Sequence, residues 1–182
     1  MKKTVCILLV ISILLATLVG IGLTVSAVQD SRMLNVKYQF PTNLTGSSSS
    51  TAIRLFAAVD ELDKYSKVGW CYSLTNSNPT KDGNYCYKYE STKVYNSLYA
   101  NGKLKTVKDI YSGATWANYI FFFEISNIPN ADFNTNIYVR SYVILKDGSI
   151  EYGTVSTINI QKYLNSQITY NSDNSGWTSR WY

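Results

Sequence analysis

From residue 52 to residue 160 the chain is a series of short β-branched and aromatic runs, each closed by a turn signal. No apolar pattern in this stretch is long enough for a major helix, so the fold has to be assembled from strands. AIRLFAAV (52–59) gives way to DELDKYS, and KVGWCYSL (67–74) gives way to TNSNPTKDGN. YCYKYESTKVY (85–95) precedes NSLYANGKLKTV, in which Asn101-Gly102 is a tight-turn pair. YIFFFEI (119–125) is nearly all apolar and is expected to be a central strand. IYVRSYVIL (137–145) and SIEYGTVSTINI (149–160) flank Lys146-Asp147-Gly148, a hairpin signal. TVKDIYSG (106–113) has room for one helical turn. About seven strands at this spacing describe an all-β protein, a two-sheet antiparallel β-sandwich.

Composition agrees. Of 182 residues 16 are Tyr, 4 Trp and 6 Phe, which favours half-buried strands and supplies one core. The formal charge of +5 is modest and its basic residues are scattered, so no nucleic-acid partner is expected.

The N-terminus has a different character. MKK is followed by an uncharged stretch from Thr4 to Gln29 that ends near Val25-Ser26-Ala27. A positive start, an apolar run and small residues are the three parts of an export signal. The same run is long enough to span a bilayer as a hydrophobic helix, so residues 1–27 are read as a signal peptide or a membrane anchor. Either way the rest of the chain is exported, secreted or held at the cell surface, and touches the membrane only through this segment. Residues 28–51, with the Ser-rich stretch TNLTGSSSST, read as an N-terminal arm and linker. Residues 161–182 read as a polar tail with terminal aromatics Trp177, Trp181 and Tyr182.

AIRLFAAVDELDKYSKVGW, VYNSLYANGK and FFFEISNIPNADFNTNIYVRSYVILKDGSIEYGTVSTINI together resemble a module that recurs in large bacterial extracellular proteins. That module is an immunoglobulin-like or fibronectin type III-like β-sandwich. The resemblance covers roughly residues 52–160, and residues 128–153, with a Pro turn entering YVRSYV, are its most specific part. It implies a non-catalytic binding or structural unit and carries over no catalytic residues. The Cys71/Cys86 pair is not typical of it.

Little in the chain looks like chemistry. There is no His, which removes Ser-His-Asp and Cys-His nucleophile systems and imidazole metal ligands. Cys71 and Cys86, with no third or fourth soft ligand, make a poor zinc site, and no metal or cofactor is expected. An exported setting favours a disulfide instead. If Cys71 faces Cys86 across a hairpin, Ser73 faces Asn84 and Leu74 faces Gly83. Glu124, inside FFFEIS, is the one acid in an apolar run. It reads as a strand residue pointing to solvent or pairing with Arg140, or as the acid of a small carboxylate-dependent glycan hydrolase.

The aromatics are the best binding candidates. In strand periodicity Tyr138, Arg140 and Tyr142 share an outward face, while Ile137, Val139 and Val143 point inward. Tyr85, Tyr87 and Tyr89 form a second row. Such rows stack on sugar rings or anchor a protein partner, so the expected ligand is a glycan or a cell-envelope protein.

Overall fold

The computed structural model describes residues 35–100, 103–111 and 116–166. The leader, the Asn101-Gly102 turn and the aromatic tail from residue 167 onward lie outside the described residues. Ten strands occur among the described residues. In chain order they are β1 (Lys37–Gln39), β2 (Ser50–Val59), β3 (Tyr65–Ser73), β4 (Tyr87–Ser91) and β5 (Ser97–Ala100), then β6 (Lys103–Thr106), β7 (Tyr119–Pro129), β8 (Ile137–Leu145), β9 (Ile150–Tyr152) and β10 (Ser156–Ile158).

All pairings are antiparallel. β1-β2-β7 form a three-stranded sheet, and β10-β8-β3-β4, with β9 also on β8, form a five-stranded one. β5 and β6 make a separate hairpin. The two larger sheets share one core. Ile53, Leu55, Ala57 and Phe121 come from the first sheet, and Val68, Trp70, Val139 and Val143 come from the second. Trp70 on β3 is 1% exposed and its ring lies 5.2 Å from that of Phe121 on β7. Burying apolar area of this extent is what drives a chain with so few helical residues to close up.

The three-stranded sheet is buried on part of its outer face as well. Its outer face carries Phe56, Ala58 and Ile120, which pack against Val107, Ile110, Tyr111 and Ala117. Val107–Ile110 is the helical turn expected within residues 106–113, started by a capping box in which the Asp109 carboxylate accepts from the Thr106 backbone N–H at 2.7 Å. The buried Tyr111 hydroxyl lies 2.8 Å from the Phe56 carbonyl and ties this turn to β2.

YIFFFEI was expected to be central because it is apolar at every position. It is instead an edge strand, β7, with β2 in the middle. Its continuous apolar character has a different cause: Ile120 faces the second cluster while Phe121 faces the main core. β8 spans the run expected for it, and the Leu145 N–H donates to the Ser149 carbonyl at 2.9 Å across the Lys146-Asp147-Gly148 turn. Gly148 sits at φ +87°, a backbone state that glycine adopts without steric cost.

Residues read as arm and linker contribute to the same body. β1 pairs with β2, and Val36, Phe40 and Leu44 are buried in the main core. The Ser-rich stretch is tied down by the Asn130 side-chain amide, which donates to the Ser48 carbonyl at 2.9 Å. At the other end the helix Ile160–Asn165 brings the Tyr163 ring to 3.8 Å from that of Phe40.

Candidate functional site

The two aromatic rows have opposite fates. Tyr142 is fully buried, which corrects its placement on an exposed face. It lies on the outer side of the five-stranded sheet, as the alternation requires, but that side is covered. Gly69 sits opposite it on β3, and a Cβ on Gly69 would collide with the Tyr142 ring. A residue with no side chain here lets the ring lie across β3, where its hydroxyl donates to the Glu90 carboxylate at 3.1 Å. Burial, followed by the Glu90 charge, pushes the Tyr142 pKa well up, so the hydroxyl stays protonated as a donor.

The cover is the segment between β3 and β4, residues 74–86, which folds back over the sheet. The Asn78 side-chain oxygen accepts from Arg140 Nη1 at 3.1 Å. The Lys81 backbone N–H donates to the Tyr152 hydroxyl at 3.0 Å, and the Lys81 ammonium lies 3.6 Å from Glu90. Arg140 is consumed locally as well. Its Nε donates to the Gly153 carbonyl at 2.6 Å, and its guanidinium stacks 4.5 Å over the Tyr152 ring. Arg140 is therefore a fastening of this cover, not an open contact. Tyr138, half-buried opposite Ser73, stands at the end of the same row.

Glu90, on β4 opposite Gly69, closes the edge of the covered face. Burial works to raise its pKa, but hydrogen bonds from Lys67 and Tyr142 outweigh that and leave the carboxyl below its ordinary range.

The second row is open. Tyr85, Tyr87 and Tyr89 are 84%, 61% and 40% exposed. β4 is the edge of its sheet, so its core-side residues project past the last strand of the opposite sheet. Tyr87 stacks on Tyr72 at 5.0 Å and Tyr89 stacks on Phe123 at 4.5 Å, both nearly parallel. Each of these two Tyr rings thus has one face against a half-buried ring and is held in place by it. Tyr85 precedes the strand and has φ +58°, so strand alternation does not set its direction, a correction to the expected three-residue row.

Sequence reasoning missed Tyr95 and Phe122, which are also exposed and whose rings lie 5.5 Å apart. Tyr95 is bridged to Ile120, which brings this pair to the β7 edge. With Tyr85, Tyr87 and Tyr89 they account for all the large exposed aromatics among the described residues. Nothing in the all-apolar run singled out Phe122, because its exposure depends on how far the helical turn covers the outer face.

The remaining candidates are placed as follows. Glu124 pairs with Arg54 at 3.3 Å on the outer side of the three-stranded sheet, not with Arg140. Cys71 and Cys86 are free thiols. Cys71 stands opposite Lys88 and Tyr72 opposite Tyr87, so the hairpin register is two residues away from the one expected. The difference arises because residues 74–86 wrap over the sheet and do not continue the ladder. Both thiols point toward this wrapping segment: Cys71 Sγ donates to the Pro79 carbonyl at 3.5 Å, and Cys86 Sγ accepts from the Asn76 amide at 3.6 Å.

No protein-family profile matches the chain, and no curated protein or solved structure matches it either.

Proposed function

We propose that this protein is a non-catalytic binding module of the cell exterior that takes carbohydrate, such as cell-wall glycan, on the open aromatic edge formed by Tyr85, Tyr87 and Tyr89. The observation that carries this reading is the stacking of Tyr87 on Tyr72 and of Tyr89 on Phe123. A ring backed by a second ring has lost its freedom before a ligand arrives, so docking a sugar's apolar face costs less ordering entropy. Exposed aromatics gathered at one edge are uncommon on a surface that binds nothing. The charged start, apolar run and small residues of positions 1–27 support a place outside the cell, with this segment cleaved after Ala27 or retained as an anchor.

Strand order supports an immunoglobulin-like or fibronectin type III-like architecture. Lettered in the manner of such sandwiches, β1, β2 and β7 correspond to strands A, B and E. β10, β8, β3 and β4 correspond to G, F, C and an added C′. Trp70 then sits on strand C, where that fold keeps its core Trp. The β5–β6 hairpin and the helical turn occupy the connection between C′ and E.

The test is titration of the purified protein with chitin oligosaccharides and soluble peptidoglycan fragments. Wild type is expected to bind one of them, and Tyr87→Ala or Tyr89→Ala each to weaken it about tenfold or more. Binding that is unchanged in both variants overturns the assignment of the edge.

A further inference from the structure

The two thiols differ in burial, and both contact the segment of chain between β3 and β4. Cys71 is fully buried in the middle of β3, with its Sγ 3.5 Å from the carbonyls of Pro79 above it and Arg140 beside it. Burial pushes its thiol up to about 12, and a charge on Cys86 adds to that shift, so it is protonated at neutral pH. Cys86 is only half-buried. It follows Tyr85, the most exposed aromatic among the described residues, and a Cβ on Gly83 would stand 3.1 Å from its sulfur. Cys71 is paired with Lys88, two residues after Cys86, and the Cys86 sulfur accepts from the Asn76 amide in the segment that covers Cys71.

We propose that Cys86 and Cys71 form an ordered dithiol couple, in which Cys86 is the entry thiol for a low-molecular-weight disulfide and Cys71 resolves the mixed disulfide, clasping residues 74–86 onto the sheet. The steps balance. The Cys86 thiolate attacks one sulfur of the disulfide RSSR, forming Cys86–S–S–R and releasing one thiolate RS⁻, which takes up a proton. Cys71 then loses its proton and attacks the Cys86 sulfur, expelling the second RS⁻. Two protein thiols are oxidised and one RSSR is reduced to two RSH. The second step waits for the stretch around Pro79 to move aside while Cys86 stays near, because the Pro79 carbonyl lies 3.5 Å from the Cys71 sulfur. The mixed disulfide therefore accumulates before the clasp closes. Neither step uses the aromatic edge, so the proposal stands apart from the glycan reading.

The experiment is oxidation of the full chain carrying Cys6→Ser with oxidised glutathione, quenched by acid and mapped as tryptic peptides. Cleavage at Lys67, Lys81 and Lys88 separates Cys71 (residues 68–81) from Cys86 (residues 82–88). The expected course is glutathione on peptide 82–88 first, followed by its loss as the two peptides become cross-linked. Adding Cys71→Ser should make the Cys86 adduct persist. Adding Cys86→Ser should leave Cys71 at least about tenfold slower to react than Cys86 is in the parent. First labelling at Cys71, or stable adducts on both peptides with no cross-link, would overturn the proposal. The parent time course decides this even where a variant at buried Cys71 fails to fold.

Discussion

Tyr142 and Tyr89 are both strand tyrosines of the same five-stranded sheet, yet one is sealed and the other lies open. Tyr142 belongs to β8, an interior strand, on the outer side of the sheet. There Gly69 opens a seat for its ring, and residues 74–86 close over it. Tyr89 belongs to β4, the last strand, on the core side, and the opposite sheet ends at Phe123 before covering it. The lesson is that facing outward does not expose a side chain, nor does facing the core bury it. What decides is whether another layer reaches that position. In this protein the covering layer is a loop with polar fastenings, and the open position is the rim of the apolar core.

Substitutions can break this comparison, and the largest effect is expected on the sealed side. Tyr142→Ala would empty a fully buried aromatic site and leave Glu90 without its hydroxyl donor. The expected loss is about 3–5 kcal/mol of unfolding free energy in a denaturant titration. A loss below about 1 kcal/mol would mean that the cover does not seat as described. Gly69→Ala comes next, because its Cβ would have to displace the same ring, and about 1–3 kcal/mol is expected from the same measurement.

A smaller effect separates the two sides by pH. The folded-state pKa of Glu90 is depressed, so its contribution is fully present above the ordinary carboxyl value of 4.5. It is lost as pH falls through the lower folded value. Glu90→Gln should therefore flatten the stability profile between about pH 5 and pH 3 and leave its shape at neutral pH unchanged. A wild-type and variant pair with parallel acid limbs would show that Glu90 is not held by Lys67 and Tyr142. The smallest effect on stability belongs to Tyr87→Ala at the rim, within about 1 kcal/mol, although this substitution is expected to cost glycan binding most.

Parts of this arrangement could be read from the sequence. The alternation in IYVRSYVIL gives β8 its bounds and its two sides, and Lys146-Asp147-Gly148 gives the turn that follows. The shared face of Tyr87 and Tyr89 was also readable from strand alternation, whereas the edge position of β4 that leaves them open was not. The burial of Tyr142 was not, because it depends on a glycine 73 residues earlier in sequence, across the ladder, and on a loop whose path is set by Asn78, Lys81 and Tyr152. The edge position of β7 was hidden by the helical turn on its outer face, since local apolar content cannot distinguish a central strand from a doubly covered edge. The hairpin register failed for the same reason as the burial of Tyr142, because residues 74–86 leave the ladder to act as a cover.

Mapping tyrosine nitration in the folded protein with tetranitromethane tests the contrast most directly, because the reagent needs an accessible phenolate. Cleavage at Lys81, Lys88 and Arg140 places Tyr85 and Tyr87 on one tryptic peptide and Tyr142 on another. The predicted result is early nitration of the peptide holding Tyr85 and Tyr87, with Tyr142 unmodified until the protein is unfolded. Nitration of Tyr142 in the native state at the rate of Tyr87 would contradict the account.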